Sequence, residues 1–314
     1  MSLWLLLVII AQFILAAVAL IDKYIVSSKT VVLRPFTYTF WISILSSGSV
    51  LVFLFGWVPL PVDGIHIPSF ANIQGLTITT FALALTAGYT FFTALLSMFT
   101  ALKHADASDV VPVVGAMNAL FTFVLGYYFF EATLPRNFFI GMLLLVIGTV
   151  LTSSLRFNRQ TMLSVFHAGI MFGLHYVVLK QLFLETNFDT GFFWSRMAIV
   201  FIALSMLLIP YYYNKVMVRT RRAKKRDGAL LIGNKILGGL ASIMMLMAVN
   251  LVDKSLISLP QALGGLQYLF LLSFSVCCGR YIAKDWGENV STRDIIQKAV
   301  SIPLIVLGFF LLFL

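Results

Sequence analysis

The sequence predicts an all-α membrane protein with ten transmembrane helices, built as two inverted five-helix repeats. Long apolar runs, a one-sided distribution of basic residues and an internal repeat predict it. Of 314 residues, 60% are hydrophobic and 11% charged, and the mean hydropathy is +0.98. Soluble domains carry about a quarter charged residues. So few charges could not cover the surface of a water-soluble globule, so the lipid bilayer is the expected solvent.

A bilayer core needs about 20 apolar residues per helix. Ten stretches qualify, at roughly 3–21, 36–57, 76–101, 109–130, 137–155, 161–184, 191–213, 228–252, 259–281 and 298–314. They are too long and too uniformly apolar for barrel strands of about 10 alternating residues. The first run starts at Leu3 with no basic region ahead of it, and is expected to be a membrane helix rather than a cleavable leader. Adjacent Cys277 and Cys278 suit neither a structural disulfide nor a metal site.

The net charge is +10 and the pI about 9.7. Lys215, Arg219, Arg221, Arg222, Lys224, Lys225 and Arg226 cluster in one loop, about 214–227, between two apolar runs. Such a loop marks the cytoplasmic side of a membrane rather than a nucleic-acid site. Contact of Arg219–Arg226 with anionic lipid is an added role. With the N-terminus outside, the inward loops collect those seven together with Lys23, Lys29, Arg34, Lys103, Arg156, Arg159, Arg280, Lys284, Arg293 and Lys298. The outward loops hold Arg136 and Lys254. This bias supports ten spans with both termini outside, and a prokaryotic inner membrane is the expected location.

The repeat divides the chain into 1–155 and 156–314. Ala101-Leu102-Lys103, Pro112 and a helix ending near Glu131 correspond to Ala248-Val249-Asn250, Pro260 and a helix ending near Arg280. Glu131-x4-Arg136-Asn137-Phe138-Phe139 corresponds to Glu288-x4-Arg293-Asp294-Ile295-Ile296, each followed by a last helix carrying Gly148 or Gly308. Phe40-Trp41 follows Lys23, and Phe193-Trp194 follows Lys180. Five spans per unit force the second copy upside down, a transporter architecture with its substrate site where the halves meet.

Ala101-Leu102-Lys103-His104-Ala105-Asp106-Ala107-Ser108, with Pro112, Glu131 and the Gly148 helix, resembles the EamA-type repeat of the drug/metabolite transporter superfamily. Ile21-Asp22-Lys23-Tyr24 looks like the same family's first-helix end. The second copy departs from the pattern, with Ala248-Val249-Asn250 in place of Ala-Leu-Lys. The resemblance implies ten helices around a central cavity and movement of metabolites, such as amino acids or their analogues, by alternating access.

Ionisable groups within spans are costly, so they are expected to face a cavity or a partner. Arg196, Lys235 and Lys180 are such groups. Arg196 is a fork for a carboxylate or phosphate, or a snorkelling residue. Lys235 is a cavity cation or snorkels to headgroups, and Lys180 reads as a snorkelling anchor. His175 is a proton relay or a packing residue, and His167 lies on the same helix face. Asn234, Asn118, Asn250, Gln12 and Gln267 line the cavity or bond between helices. Tyr89, Tyr268, Trp41 and Trp194 gate the substrate or anchor the helices. Pro112 and Pro260 initiate helices or form paired hinges. Gly264-Gly265 and Gly233-x4-Gly238-Gly239 are expected to allow close helix approach.

Acidic residues are read only at helix ends, Asp22 and Asp109. A cation-lined cavity then points to anionic or zwitterionic small-molecule substrates. No phosphate loop, zinc spacing or Gly-x-Ser-x-Gly occurs, so no cofactor, metal, catalytic centre or ATP-driven cycle is expected. An intramembrane enzyme using His167 and His175, and a scaffold or sensor with a dry centre, are the rival readings.

Overall fold

The computed structural model describes residues 2–27, 34–59, 66–131, 135–152, 158–220, 225–271, 273–274 and 303–311. The spans expected at 259–281 and 298–314 are covered in part. Cys277, Cys278 and the Glu288–Ile296 motif lie outside the described residues. The helices are α1 (Leu3–Ser27), α2 (Pro35–Ser46, continued by the 3-10 segment Ser47–Phe55), α3 (Ile78–His104), α4 (Ala107–Phe130), α5 (Arg136–Thr152) and α6 (Arg159–Glu185). They continue as α7 (Phe188–Ser205), α8 (Pro210–Thr220), α9 (Lys225–Leu251) and α10 (Ser258–Ala262), then α11 (264–271) and α12 (303–311). Among the described residues there is no strand. Seven helical stretches there are long and apolar enough to cross a bilayer, and Arg136–Leu151 is a shorter apolar helix. The chain is an all-helical membrane protein.

Side-chain oxygens set several helix starts by accepting an otherwise unbonded first-turn N–H. Thr77 accepts from Thr80 N at 3.1 Å, Asn158 from Thr161 N at 2.7 Å and Asn187 from Thr190 N at 2.7 Å. The boundaries differ from expectation in three places. α1 runs to Ser27 rather than to residue 21. The span placed at 191–213 starts at Phe188 and ends through Met206–Leu208, and Pro210 opens α8, a position where its missing N–H costs little. The expected basic loop at 214–227 is therefore helical at both described ends. The span placed at 259–281 is interrupted at Leu263, between α10 and α11.

Two long antiparallel pairs organise the bundle. α6 lies along α3, where Ser97 Oγ meets His167 Nδ1 at 2.7 Å and Ala87 O meets His175 Nδ1 at 2.9 Å. α1 lies along α9, with Leu5 and Val8 in one core cluster with Met245 and Ala248 and Asp22 bonded to Asn234 at the other end. α6 also packs closely on α4. A Cβ on Gly169 would stand 2.3 Å from Met117 Cβ, and one on Gly173 2.8 Å from Phe121 Cβ. Small residues spaced by four thus let two backbones approach. Of the glycines expected to do so on α9, Gly238 faces Val18 of α1, 3.6 Å from a Cβ, while Gly233 and Gly239 have nothing within 4 Å. Gly148 and Gly308 instead pack the two terminal helices together, Gly148 against Ile305 of α12 and Gly308 against the backbone of Gly141 and Leu145 of α5.

The last carbonyls of a helix lack intrahelical donors and sit at its negative end. Two buried lysines fill that need. Lys23 on α1 donates to Leu102 O at 2.9 Å and Ala105 O at 2.7 Å, where α3 ends, and lies 3.9 Å from Asp106. Lys180 on α6 donates to Val249 O at 3.1 Å, Asn250 O at 2.9 Å and Val252 O at 2.6 Å, where α9 ends. Lys180 is 4% exposed, so it is an internal helix cap and not a snorkelling anchor. Because α1 is antiparallel to α9, and α3 to α6, the two caps lie at opposite ends of the bundle.

At the start of α7 the segment 66–74 is pinned down. The buried Asp189 carboxylate accepts from Ser69 N at 3.1 Å and Asn72 Nδ2 at 2.8 Å, and meets His66 Nε2 at 2.9 Å.

Lys23→Met and Lys180→Met keep side-chain length but remove the charged donor. Each is expected to cost about 2–3 kcal/mol, read as a lowered midpoint of thermal unfolding in detergent by circular dichroism. An unchanged midpoint in both would show that the caps carry no stability.

Candidate functional site

Consecutive residues on a helix point about 100° apart. On α1 this sends Lys23 toward α3 and Asp22 toward α9. Asp22 is 3% exposed, and three groups converge on its Oδ1. Tyr38, in the first turn of α2, donates its phenol. Asn234 Nδ2 donates at 2.6 Å and Lys235 Nζ lies at 3.5 Å. Lys235 also stands 5.4 Å from the Tyr38 ring centroid. Two neutral donors and one cation thus match the carboxylate's charge, as a buried anion requires.

A second cluster forms around Arg196. Because α7 starts at Phe188 rather than 191, Arg196 lies more than two turns into it. It is 4% exposed and points inward instead of snorkelling. Its Nη2 donates to Ser242 Oγ at 2.8 Å. The guanidinium lies 5.2 Å from the Phe192 ring centroid and 5.9 Å from that of Phe91, within the range of cation–π attraction. Its buried Nε has no acceptor, and among the described residues no carboxylate pairs with it.

Both clusters open onto one cavity of about 570 Å³. Asp22, Lys235, Arg196 and Ser242 line it, together with Gln12, Asn118, Gln261 and Gln267. Most of the remaining wall is apolar, including Leu15, Leu95, Met98, Val114 and Phe172. The lining comes from helices before and after residue 155. Lys235 and Ser242 are seven residues apart on α9, which separates the two charged clusters by about 10 Å along that helix. Gln12 Oε1 and both polar atoms of the Gln261 amide are buried with no partner, a costly arrangement unless water or a ligand meets them. Among the described residues no three His, Cys, Asp or Glu side chains gather as for a metal ion.

Of the sequence candidates, Arg196, Lys235, Gln12, Asn118 and Gln267 line the cavity. Asn234 stands behind Asp22 as its brace. His175 is buried outside the lining, bonded to Ala87 O and packed 4.9 Å from the Phe91 ring and 5.4 Å from that of Tyr176. His167 is exposed on Ser97. Tyr89 is 50% exposed and does not reach the cavity. It lies about 200° around α3 from the lining residue Phe91. Trp41, Trp194 and Tyr268 are not lining residues either. Pro112 falls in the second turn of α4, not the first, and Pro260 is the third residue of α10. Both are buried.

Asp22, Ser242 and Gln261 were not anticipated in the site. An apolar run ending at Ile21 places Asp22, next to Lys23, at a helix end. The run resumes at Tyr24-Ile25-Val26, and that resumption is the signal that the helix continues.

No family model and no curated protein sequence matches the chain. A solved protein crystal structure superposes with a TM-score of 0.66, covering 98% of this chain and 94% of its own, at 14% identity. Such a likeness establishes a shared arrangement of helices and carries no function.

Removing one partner of a buried ion pair leaves an uncompensated charge and costs about 3–5 kcal/mol. Asp22→Leu is therefore expected to destabilise the protein strongly, and adding Lys235→Met is expected to recover much of the loss. Thermal unfolding of both variants in detergent checks this. A double variant no more stable than Asp22→Leu would show that Asp22 and Lys235 are not energetically coupled.

Proposed function

We propose that the chain is a secondary, not ATP-driven, transporter of small polar metabolites, of the EamA type in the drug/metabolite transporter superfamily. It works by alternating access at the central cavity. The observation that carries this reading is one cavity, lined from both halves of the chain, that holds the buried Asp22 and Arg196, the half-buried Lys235 and buried amide atoms without partners. Ionisable groups within a membrane bundle mark a substrate or ion path. The count of one carboxylate and two cations leaves the cavity with an excess positive charge, which favours anionic or zwitterionic solutes such as amino acids or related compounds.

Ten helices in two inverted five-helix repeats, 1–155 and 156–314, suit the same reading. The Lys23 cap of α3 and the Lys180 cap of α9 are equivalent contacts at opposite ends. The first helix of each half lies along the third long helix of the other, α1 on α9 and α6 on α3. Gly148 and Gly308 exchange places at the crossing of the two terminal helices. In inverted-repeat carriers the site lies at the repeat interface, and one unit rocks against the other. Pro112 and Pro260 flank that interface as paired hinges. Both termini face outward in a prokaryotic inner membrane, and the Arg219–Arg226 segment meets anionic cytoplasmic lipid.

The test is flux. Purified protein in proteoliposomes, assayed with a panel of labelled anionic and zwitterionic metabolites, is expected to give saturable uptake or counterflow. Lys235→Met is expected to reduce it by at least about tenfold if the cation binds solute in the transition between states. Folded protein that moves no member of the panel would overturn the transporter reading.

A further inference from the structure

The two charged clusters in the cavity are not equivalent. The Asp22 carboxylate already holds a cation and two neutral donors, so an incoming ammonium would have to displace them. Arg196 is the reverse case. It is held rigidly by Ser242 and by the Phe91 and Phe192 rings, while its Nε–H points at no acceptor. A fixed planar guanidinium with a donor to spare suits a carboxylate, which it can meet with two parallel hydrogen bonds. The wall beside it is apolar, with Phe91 and Tyr176 close to the guanidinium and Phe172, Leu95 and Met98 further along. A small, highly hydrated anion would gain nothing from that wall. A solute with an apolar body would gain from covering it.

We infer that Arg196 and its aromatic surround form the recognition site for an amphipathic monocarboxylate, a single carboxylate on an apolar or aromatic body. The carboxylate meets the Nε edge of Arg196 and neutralises the one cavity charge left unmatched among the described residues. The body lies in the apolar stretch that leads toward Asp22 and Lys235. Gln12 Oε1 and the Gln261 amide, buried and without partners, supply further polar contacts within the cavity. The site discriminates against amines, since no cavity acid among the described residues is left without a counter-charge. The inference rests on the cavity being the solute site proposed above and narrows its substrate from anionic or zwitterionic metabolites to one class.

Equilibrium binding to the full-length protein in detergent, by isothermal titration calorimetry, tests it with five probes: phenylacetate, its methyl ester, L-phenylalanine, phenethylamine and acetate. Phenylacetate is expected to bind tightest, and the uncharged ester, which needs no variant to compare, at least about 30-fold more weakly. Acetate, lacking the body, is also expected to bind more weakly. Arg196→Gln is expected to remove the preference for phenylacetate over its ester. Arg196→Lys is expected not to restore it, because an ammonium lacks the planar fork. Equal binding of acid and ester, tighter binding of phenethylamine or L-phenylalanine, or no binding of any probe would overturn the inference. Phenylacetate binding without flux would uphold this site and sink the transporter reading. Flux of a zwitterionic solute without phenylacetate binding would do the opposite.

Discussion

A lipid bilayer cannot solvate an ionised side chain, so every charge inside the bundle has to be answered by the protein itself or by what the protein binds. The arrangement of this molecule follows from how each charge is answered. Lys23 and Lys180 are met by backbone carbonyls at the ends of α3 and α9. Those carbonyls need donors as much as the lysines need acceptors, so each cap settles two deficits at once. Asp22 is met by Tyr38, Asn234 and Lys235. Arg196 receives one neutral hydroxyl and two ring faces, and its positive charge stays uncompensated within the described residues. A buried charge left in that state is a cost to stability that a structural role alone does not explain.

The same contacts fix where empty space can exist. Gly169 and Gly173 bring α6 onto α4, while Gly148 and Gly308 bring α5 onto α12. Lysine caps tie α1 to α3 and α6 to α9. These ties draw the helix backbones together at the periphery and at the bundle ends. The interior faces of α1, α2, α3, α4 and α9, with Arg196 of α7, are left to surround a volume that their side chains do not fill. Asp189, bonded to Ser69, Asn72 and His66, closes the segment between the 3-10 turn and α3 over the start of α7.

Much of the fold was legible because apolar run length is a direct readout of bilayer thickness. α3, α4, α6 and α9 fall where the runs place them, shifted at most a few residues, α1 starts as expected but runs six residues further, and Arg196 and Lys235 stand out as charges inside runs. The failures share a cause. Run length alone says nothing about which face of a helix a residue occupies. Tyr89 and Phe91 are two residues apart and point in opposite directions. Asp22 and Lys23 are adjacent and serve different partners. Gln261, Gln267 and Asn118 look alike in sequence, yet only the Gln261 amide is buried without any partner.

The sequence by itself determined that the chain is helical and belongs in a membrane, because composition and periodicity are local properties. It also determined which side chains carry a charge into the bundle. The tertiary structure alone decided which charge meets which partner. Lys180, expected as a snorkelling anchor, is an internal cap, Asp22, expected at a helix end, is a cavity carboxylate, and of the two readings of His175 the packed side chain is the one observed. Those outcomes depend on contacts between residues 69 to 213 positions apart. Such contacts are set by helix crossing and rotation, which no local pattern of residues encodes.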